Sequence, residues 1–555
     1  MKRPSLLFAL TVSFAAATLP MQTQAAETNP AILGEYLAGS YANYLEDKNA
    51  RSDYFSRAFS RADKDIRLGR LAMVSAIETG DMELAVSLAK TVIKTNKKES
   101  MARALLGVEA FNDGRSSRAA KYFDGQSVDI TMSTLMKFVD GWNEVGRGKA
   151  DAARKIFNNM GGANFFNAYG QLQLAKLETQ LGNYNAAETA FLKVEASGVS
   201  GVETAISRAY YHMAQGDKEA ALAGLKAYDE DNNTFGIGAI PHYINLIESG
   251  QSLPDITDTK HQAARALTDP SLLFFLRNRS VDGAEIYLRF ARWIDPNYDK
   301  ASIWIGDLLE NSEREDEAYE IYSKIGTDSP YYVSAQLSEA NYFFAREEDD
   351  RALKLLEDLS ESRPSFITRE ALGRARFIRE DFEGALPFYT DIINSMNEAE
   401  IKDNIDPLRL RGIIYERIDQ WPLAEADFKR VLEISPDDVN TLNYLGYTWV
   451  DRGENLTEAF EMIRKAVAKE PEDGAIVDSL GWAHYKLGQY KEAQKQLENA
   501  VELSPSSATI IDHLGDVYWK LGRKREAGFQ WKRALEFDPT DEEKTMITKK
   551  LKNGL

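Results

Sequence analysis

The chain has 555 residues, 44% of them hydrophobic and none of them cysteine, with a formal charge of −19. That much apolar material argues against disorder, and the absence of cysteine excludes disulfides, thiolate metal clusters and a cysteine nucleophile. The acid excess repels phosphate backbones and anionic headgroups, so nucleic acid is not expected as a partner.

Residues 1–25 read as a secretory leader. Lys2 and Arg3 precede an apolar run from Leu6 to Leu19, and Thr23 and Ala25 supply the small residues for cleavage after Ala25. The run falls short of the roughly 20 residues a membrane span needs, and no later stretch could cross a bilayer. Without a cysteine to carry lipid, a lipoprotein anchor is not expected either. The expected location is the periplasm, where the cleaved chain carries 65 basic against 86 acidic residues, a charge of −21.

Residues 26–228 form a first repeat array. Ala85, Ala119, Ala153, Ala187 and Ala221 fall at steps of 34. Four positions after most of them sits a bulky group, Phe123, Phe157, Phe191 or Leu225, and twelve before sits a small one, Gly107, Gly141, Ala175 or Ala209. The phase reaches back to Gly39 and Phe55, with Arg51 in place of the alanine. The pattern predicts pairs of antiparallel helices. The small residue of the first helix and the alanine of the second meet where the pair approaches most closely, and the bulky residue fills the same face. Residues 229–263, with DEDNN, two glycines and Pro241, break the phase and are expected to be an irregular joint between two superhelical segments.

A middle array, 264–398, and a regular C-terminal array, 399–540, follow in a new phase. Ala284, Ala318, Ala352, Ala385, Ala424, Ala459, Ala493 and Ala527 are spaced by 34, 34, 33, 39, 35, 34 and 34 residues. The slip near 394–404 separates the two arrays. Prolines such as Pro436, Pro471, Pro505 and Pro539 close the units, and Gly488 and Gly522 turn the chain between helices. Residues 541–555 are expected to supply a polar helix covering the last open face, then a short tail.

No catalytic constellation occurs. The five histidines have no metal-ligand spacing, there is no phosphate-binding loop, and runs such as Glu347-Glu348-Asp349-Asp350 read as solvated charge. No enzyme activity, metal or cofactor is expected.

The C-terminal units match the tetratricopeptide repeat motif. Leu480-Gly481, Ala493, Leu497, Ala500 and Pro505 fit one unit, and Leu514-Gly515, Tyr518, Ala527, Trp531, Ala534 and Pro539 the next. The resemblance implies an all-α solenoid of about 14–15 helix-turn-helix repeats in a right-handed superhelix, broken near residues 229–263. In that family the first helices line a binding groove. Positions three before, one after and four after each small residue should then face it: Arg409, Ile413 and Glu416; Asn443, Tyr447 and Val450; Asp478, Trp482 and Tyr485; Asp512, Asp516 and Trp519. Tyr447, Trp482, Tyr485 and Trp519 would form an aromatic strip, with Asn443, Asp478 and Asp512 placed to hydrogen-bond an extended backbone.

The stretches LNYLGYTWVDRGENLTEAF, IVDSLGWAHYKLGQYKEA and IIDHLGDVYWKLGRKREAGFQWKRAL resemble the C-terminal end of long proteobacterial envelope repeat proteins. That resemblance implies a periplasmic scaffold or adaptor that binds other proteins or extended peptides and supports envelope integrity. Its partners in such relatives are a C-terminal-processing protease and cell-wall hydrolases. A module binding peptidoglycan or an exported polysaccharide is the alternative, since aromatic strips also stack on sugars.

Overall fold

The computed structural model describes residues 30–124, 129–161, 164–232, 238–277 and 281–555. The expected leader lies outside them. Among the described residues there are 31 α-helices and no strand, as the repeat pattern requires. They form two compact units, one ending at Ala335 and the other running from Gln336 to Leu555.

The first unit opens with helices α1 (Pro30–Tyr44), α2 (Lys48–Arg61), α3 (Ile66–Glu78) and α4 (Met82–Thr95). It continues through α5 (Ser100–Asn112), α6 (Ser116–Phe123), α7 (Ile130–Gly146) and α8 (Ala150–Phe157). Next come α9 (Asn164–Gln180), α10 (Tyr184–Ala196), α11 (Val202–Ala214), α12 (Lys218–Asn232) and α13 (Ala239–Glu248). The unit ends with α14 (Thr259–Arg277), α15 (Val281–Ile294), α16 (Asp299–Glu310) and α17 (Glu315–Tyr322). The unit boundary passes inside α18 (Tyr332–Ala345).

The second unit holds α19 (Asp349–Ser362), α20 (Phe366–Ile378), α21 (Phe382–Ser395) and the short α22 (Glu398–Asp403), which takes up the slip in phase. The regular hairpins follow: α23 (Asp406–Arg417) with α24 (Trp421–Ile434), α25 (Val439–Arg452) with α26 (Leu456–Lys469), α27 (Gly474–Lys486) with α28 (Tyr490–Leu503), and α29 (Ala508–Lys520) with α30 (Lys524–Ala534). The last helix is α31 (Asp541–Asn553).

The small residue of each first helix does more than let a backbone approach. The bulky side chain of the second helix lies where its side chain would be. A Cβ on Gly515 would sit 2.5 Å from Trp531, one on Gly481 2.6 Å from Leu497, and one on Gly412 2.8 Å from Phe428. Gly107 and Gly141 receive Phe123 and Phe157 in the same way. The alanine ladder, from Ala85 to Ala527, is fully buried beside these contacts. Side-chain caps start many first helices: Asp65, Asp129, Asp438, Asp473 and Ser507 each accept a first-turn amide. At the turn between helices, Gly488 and Gly522 adopt the left-handed backbone, whereas Glu347 and Glu380 hold it in the middle array, at a cost of about 1–2 kcal/mol each.

Residues 229–263, expected to be an irregular joint between two superhelical segments, include 233–237, which lie outside the described residues. The described part ends α12, contains α13, and leads into α14 inside the first unit. There α14 lies against α7 and α9, and α15 lies against α3 and α5. Ala263, Ala264, Leu267, Tyr287, Phe290 and Ile294 share one apolar core with α3–α10. The broken phase therefore marks a hairpin that folds back onto the array preceding it. Buried ion pairs fix it: Lys48 and Arg314 reach Glu285 at 2.9 and 3.0 Å, and Lys176 and Arg265 reach Glu203 at 2.8 and 2.9 Å. Asn112 donates to the Trp293 carbonyl at 3.0 Å.

Candidate protein-binding groove

In the first unit α14 and α15 lie against α3, α5, α7 and α9, and the predicted groove positions lie in the second unit. There α25 touches α27, and α27 touches α29, so the first helices form a continuous surface.

The predicted positions divide into three groups on this surface. Some are structural straps. Arg409 is mostly buried and pairs with Asp406 at 2.5 Å and with Asp438, the cap of α25, at 3.2 Å. Glu416 accepts the Tyr444 hydroxyl at 2.9 Å. Val450 is 1% exposed and belongs to the core.

A second group is the acids, which are not open to an extended backbone. Asp478 accepts from His513 Nδ1 at 2.9 Å. Lys550 of α31 reaches Asp512 at 2.6 Å and Asp516 at 2.7 Å, and Asp516 also accepts from Trp531 Nε1 at 2.9 Å. All three acids are buried. A buried carboxylate needs a counter-charge, and α31 delivers one by lying over the end of α29. Trp519 is half-buried: its ring lies 5.4 Å from that of Trp531 of α30 at a tilt of 35°, and Gly554, just past the end of α31, lies against it.

The third group stays accessible. Trp482 is part-exposed and lies nearly parallel to Tyr485, with ring centres 4.6 Å apart and an angle of 8°. Its other neighbour is His513, at 4.0 Å and 15°. Lys486 sits 5.4 Å from the Trp482 ring. Tyr447, one unit earlier, is half-buried, as is Asn443, whose Oδ1 is buried with no hydrogen-bond partner. Burial raises the Tyr447 and Tyr485 hydroxyls, followed by nearby acids, so both stay neutral donors.

Lys550 is the residue that sequence reasoning missed, and so is the pairing of His513 with Asp478. His513 stands 35 residues after Asp478, one repeat length plus one, which places it beside that acid on the next first helix. Burial opposes its charge, but Asp478, then Asp512 and Asp516, outweigh burial and raise its pKa. Its charged form thus stabilises the fold fully below the unfolded value of about 6.5, and this contribution is lost as pH rises through the higher folded value. Thermal scans from about pH 6 to about pH 9 should show the second unit's melting temperature falling, and His513→Gln should remove that component of the slope.

No group of three or more metal-ligating side chains occurs among the described residues, and no helix among them is long and apolar enough to cross a membrane.

Comparison with known proteins places the repeat. A family model described as TPR repeat matches residues 481–522, and one described as tetratricopeptide repeat matches residues 508–541. A TPR repeat-containing protein of Pseudomonas aeruginosa is 26% identical over 199 residues, 36% of this chain and 33% of that protein. The CTR9 homolog of Arabidopsis thaliana is 28% identical over 206 residues, 34% of this chain and 18% of that protein. The chain thus spans a third or less of the length of these relatives. Among solved structures, the APC/C hetero-tetramer Cut9–Hcn1 is 16% identical, covering 94% of this chain and 96% of that chain with a TM-score of 0.37. A tetratricopeptide repeat protein from Parabacteroides merdae is 18% identical, covering 52% of this chain and 98% of that chain with a TM-score of 0.32.

Proposed function

Because this chain is a tetratricopeptide-repeat solenoid, we propose that it is a non-catalytic scaffold that holds other proteins by extended segments laid on the first-helix face of residues 399–540. One observation carries the proposal. The stacked, part-exposed pair Trp482 and Tyr485 lies one unit from Tyr447 and from the half-buried Asn443. Stacked aromatics offer large contact area at little entropic cost, and the half-buried Asn443 places an amide beside them. The acids are spent on His513 and Lys550, so the recognition is aromatic and amide-based rather than anionic.

The setting we propose is the periplasm, on the strength of the leader in residues 1–25. There the scaffold supports envelope integrity as an adaptor between a processing protease and cell-wall hydrolases. Fractionation of cells producing the full chain should recover it, shortened after Ala25, in the periplasmic fraction.

Display of random peptides against the full-length protein tests the binding mode. Peptides should be enriched, and Trp482→Ala should weaken them by about thirtyfold, the 2 kcal/mol of an interface hot spot. His513→Gln should weaken them less, since it removes the support of the ring rather than the ring. No enrichment, together with co-sedimentation of the protein with purified cell-wall sacculi, would move the assignment to glycan binding.

A further inference from the structure

We propose that the outward face of α1 is the contact through which two copies of this chain pair about a two-fold axis. The proposal rests on the removal of residues 1–25 and is independent of the groove in the second unit.

The repeat shows what belongs on this face. In later first helices, the residues two before and two after the small residue lie toward the preceding first helix. In α9, Gln173 accepts from Trp142 of α7 at 3.1 Å, and in α29, His513 stacks 4.0 Å from Trp482 of α27. Accordingly Val139 and Asn143 of α7, Gln173 and Leu177 of α9, and His513 and Val517 of α29 are all buried. Counted from Gly39, the same positions of α1 are Leu37 and Tyr41, and they are 56 and 63% exposed. Leu33 and Tyr44, on the same side at helical spacing, are 53 and 80% exposed. The described residues begin with α1, so the first unit opens on an apolar face where a neighbouring helix would lie.

The terminal helices of a solenoid need a polar outer face to stay soluble. The last helix, α31, has seven charged residues. In α1 there is one, Glu35, and Arg57 and Arg61 of α2 hold it at 3.9 and 3.0 Å. The outward stripe of α1 is therefore uncharged, in a chain of which 28% is charged. Contiguous exposed apolar surface of this kind marks a place of association.

The occupant is a second copy. With residues 1–25 removed, residues 26–29 precede α1, about one helical turn and too little to cover it. A lipid surface is not matched, because interfacial helices flank their apolar side with Lys or Arg and α1 has neither. A charged partner finds no counter-charge on the stripe. A copy of the same chain does fit. At −21 the cleaved chain repels itself elsewhere, but not across a neutral face. The stripe also complements itself. Two α1 helices laid antiparallel bring Leu33 opposite Tyr44, and Leu37 opposite Tyr41, of the other copy, each pair twice over as a two-fold contact requires.

Sedimentation of residues 26–555, which contain every described residue, tests the proposal. A dimer is expected at about 100 µM, dissociating on dilution with a micromolar Kd. Leu37→Glu should weaken it by at least about thirtyfold, the size of an interface hot spot. The melting temperature should not change, because the side chain is exposed. Tyr41→Lys should act in the same way, and mixing the two variants should restore pairing, since the two new charges are opposite. Phe529→Glu, in the second unit, should leave the dimer intact. A chain that stays monomeric at about 100 µM, a dimer indifferent to Leu37→Glu, equal loss with Phe529→Glu, or a monomer that floats with phosphatidylglycerol vesicles would overturn it. Intact mass of the chain recovered from cells reports the cleavage separately: loss of residues 1–25 supports the open face, and their retention in a monomer overturns it.

Discussion

Trp531→Ala is expected to cost about 3–5 kcal/mol and to melt the last hairpin first. Trp531 is 1% exposed, fills the place of the missing Gly515 side chain, and donates to Asp516 at 2.9 Å. Its loss opens a cavity and leaves the Asp516 side of the α31 contact short of a donor. Stability in a solenoid is summed over neighbouring units, so the loss should appear as early exchange of amides in α29–α31 while α23–α26 stay protected. A double-mutant cycle sharpens the test. Gly515→Ala alone places a methyl 2.5 Å from the Trp531 ring and should destabilise, by about 1–3 kcal/mol. In the Trp531→Ala background the same methyl enters an empty space, and its cost should vanish. Equal costs in both backgrounds would show that the ring does not rest on the glycine.

Glu203→Leu is expected to destabilise the first unit by about 3–5 kcal/mol, because it leaves two buried cations without an acid. Burial works against the Glu203 charge, but Arg265 and Lys176 outweigh it and hold the carboxyl well below its ordinary value. All three side chains are nearly inaccessible. Replacing the three together, with Lys176→Met and Arg265→Met, should recover most of the loss, since well-packed apolar residues substitute for a buried ion triad. Hydrogen exchange localises the effect: α14 should open in the single variant and close again in the triple one. If α14 stays protected in the single variant, its seat against α7 and α9 does not depend on these pairs.

These two sites mark what the sequence made legible. The Gly515–Trp531 contact follows from periodicity, because a repeat places the same two residue sizes against each other, sixteen positions apart, on the two helices of each unit. The aromatic pair Trp482 and Tyr485 was reachable in the same way. The Glu203–Arg265 contact was not, because its partners are 62 residues apart and outside the repeat register. The same limit applied to Asp512 and Asp516. Their position on the first-helix face follows from the repeat, but the lysine that neutralises them lies on α31, beyond the last unit. A period reports contacts between neighbouring units. It is silent about helices that pack beyond their neighbouring units, as α14 and α15 do against α3, α5, α7 and α9.

Site-specific photocrosslinking in living cells tests most directly whether proteins engage the first-helix face of residues 399–540. A photoreactive residue at Tyr447 or Tyr485 should give discrete protein adducts, whereas one at Phe529, which is 60% exposed on the second helix of the last hairpin, should give none. Adducts at Phe529 with none at Tyr447 and Tyr485 would contradict that engagement.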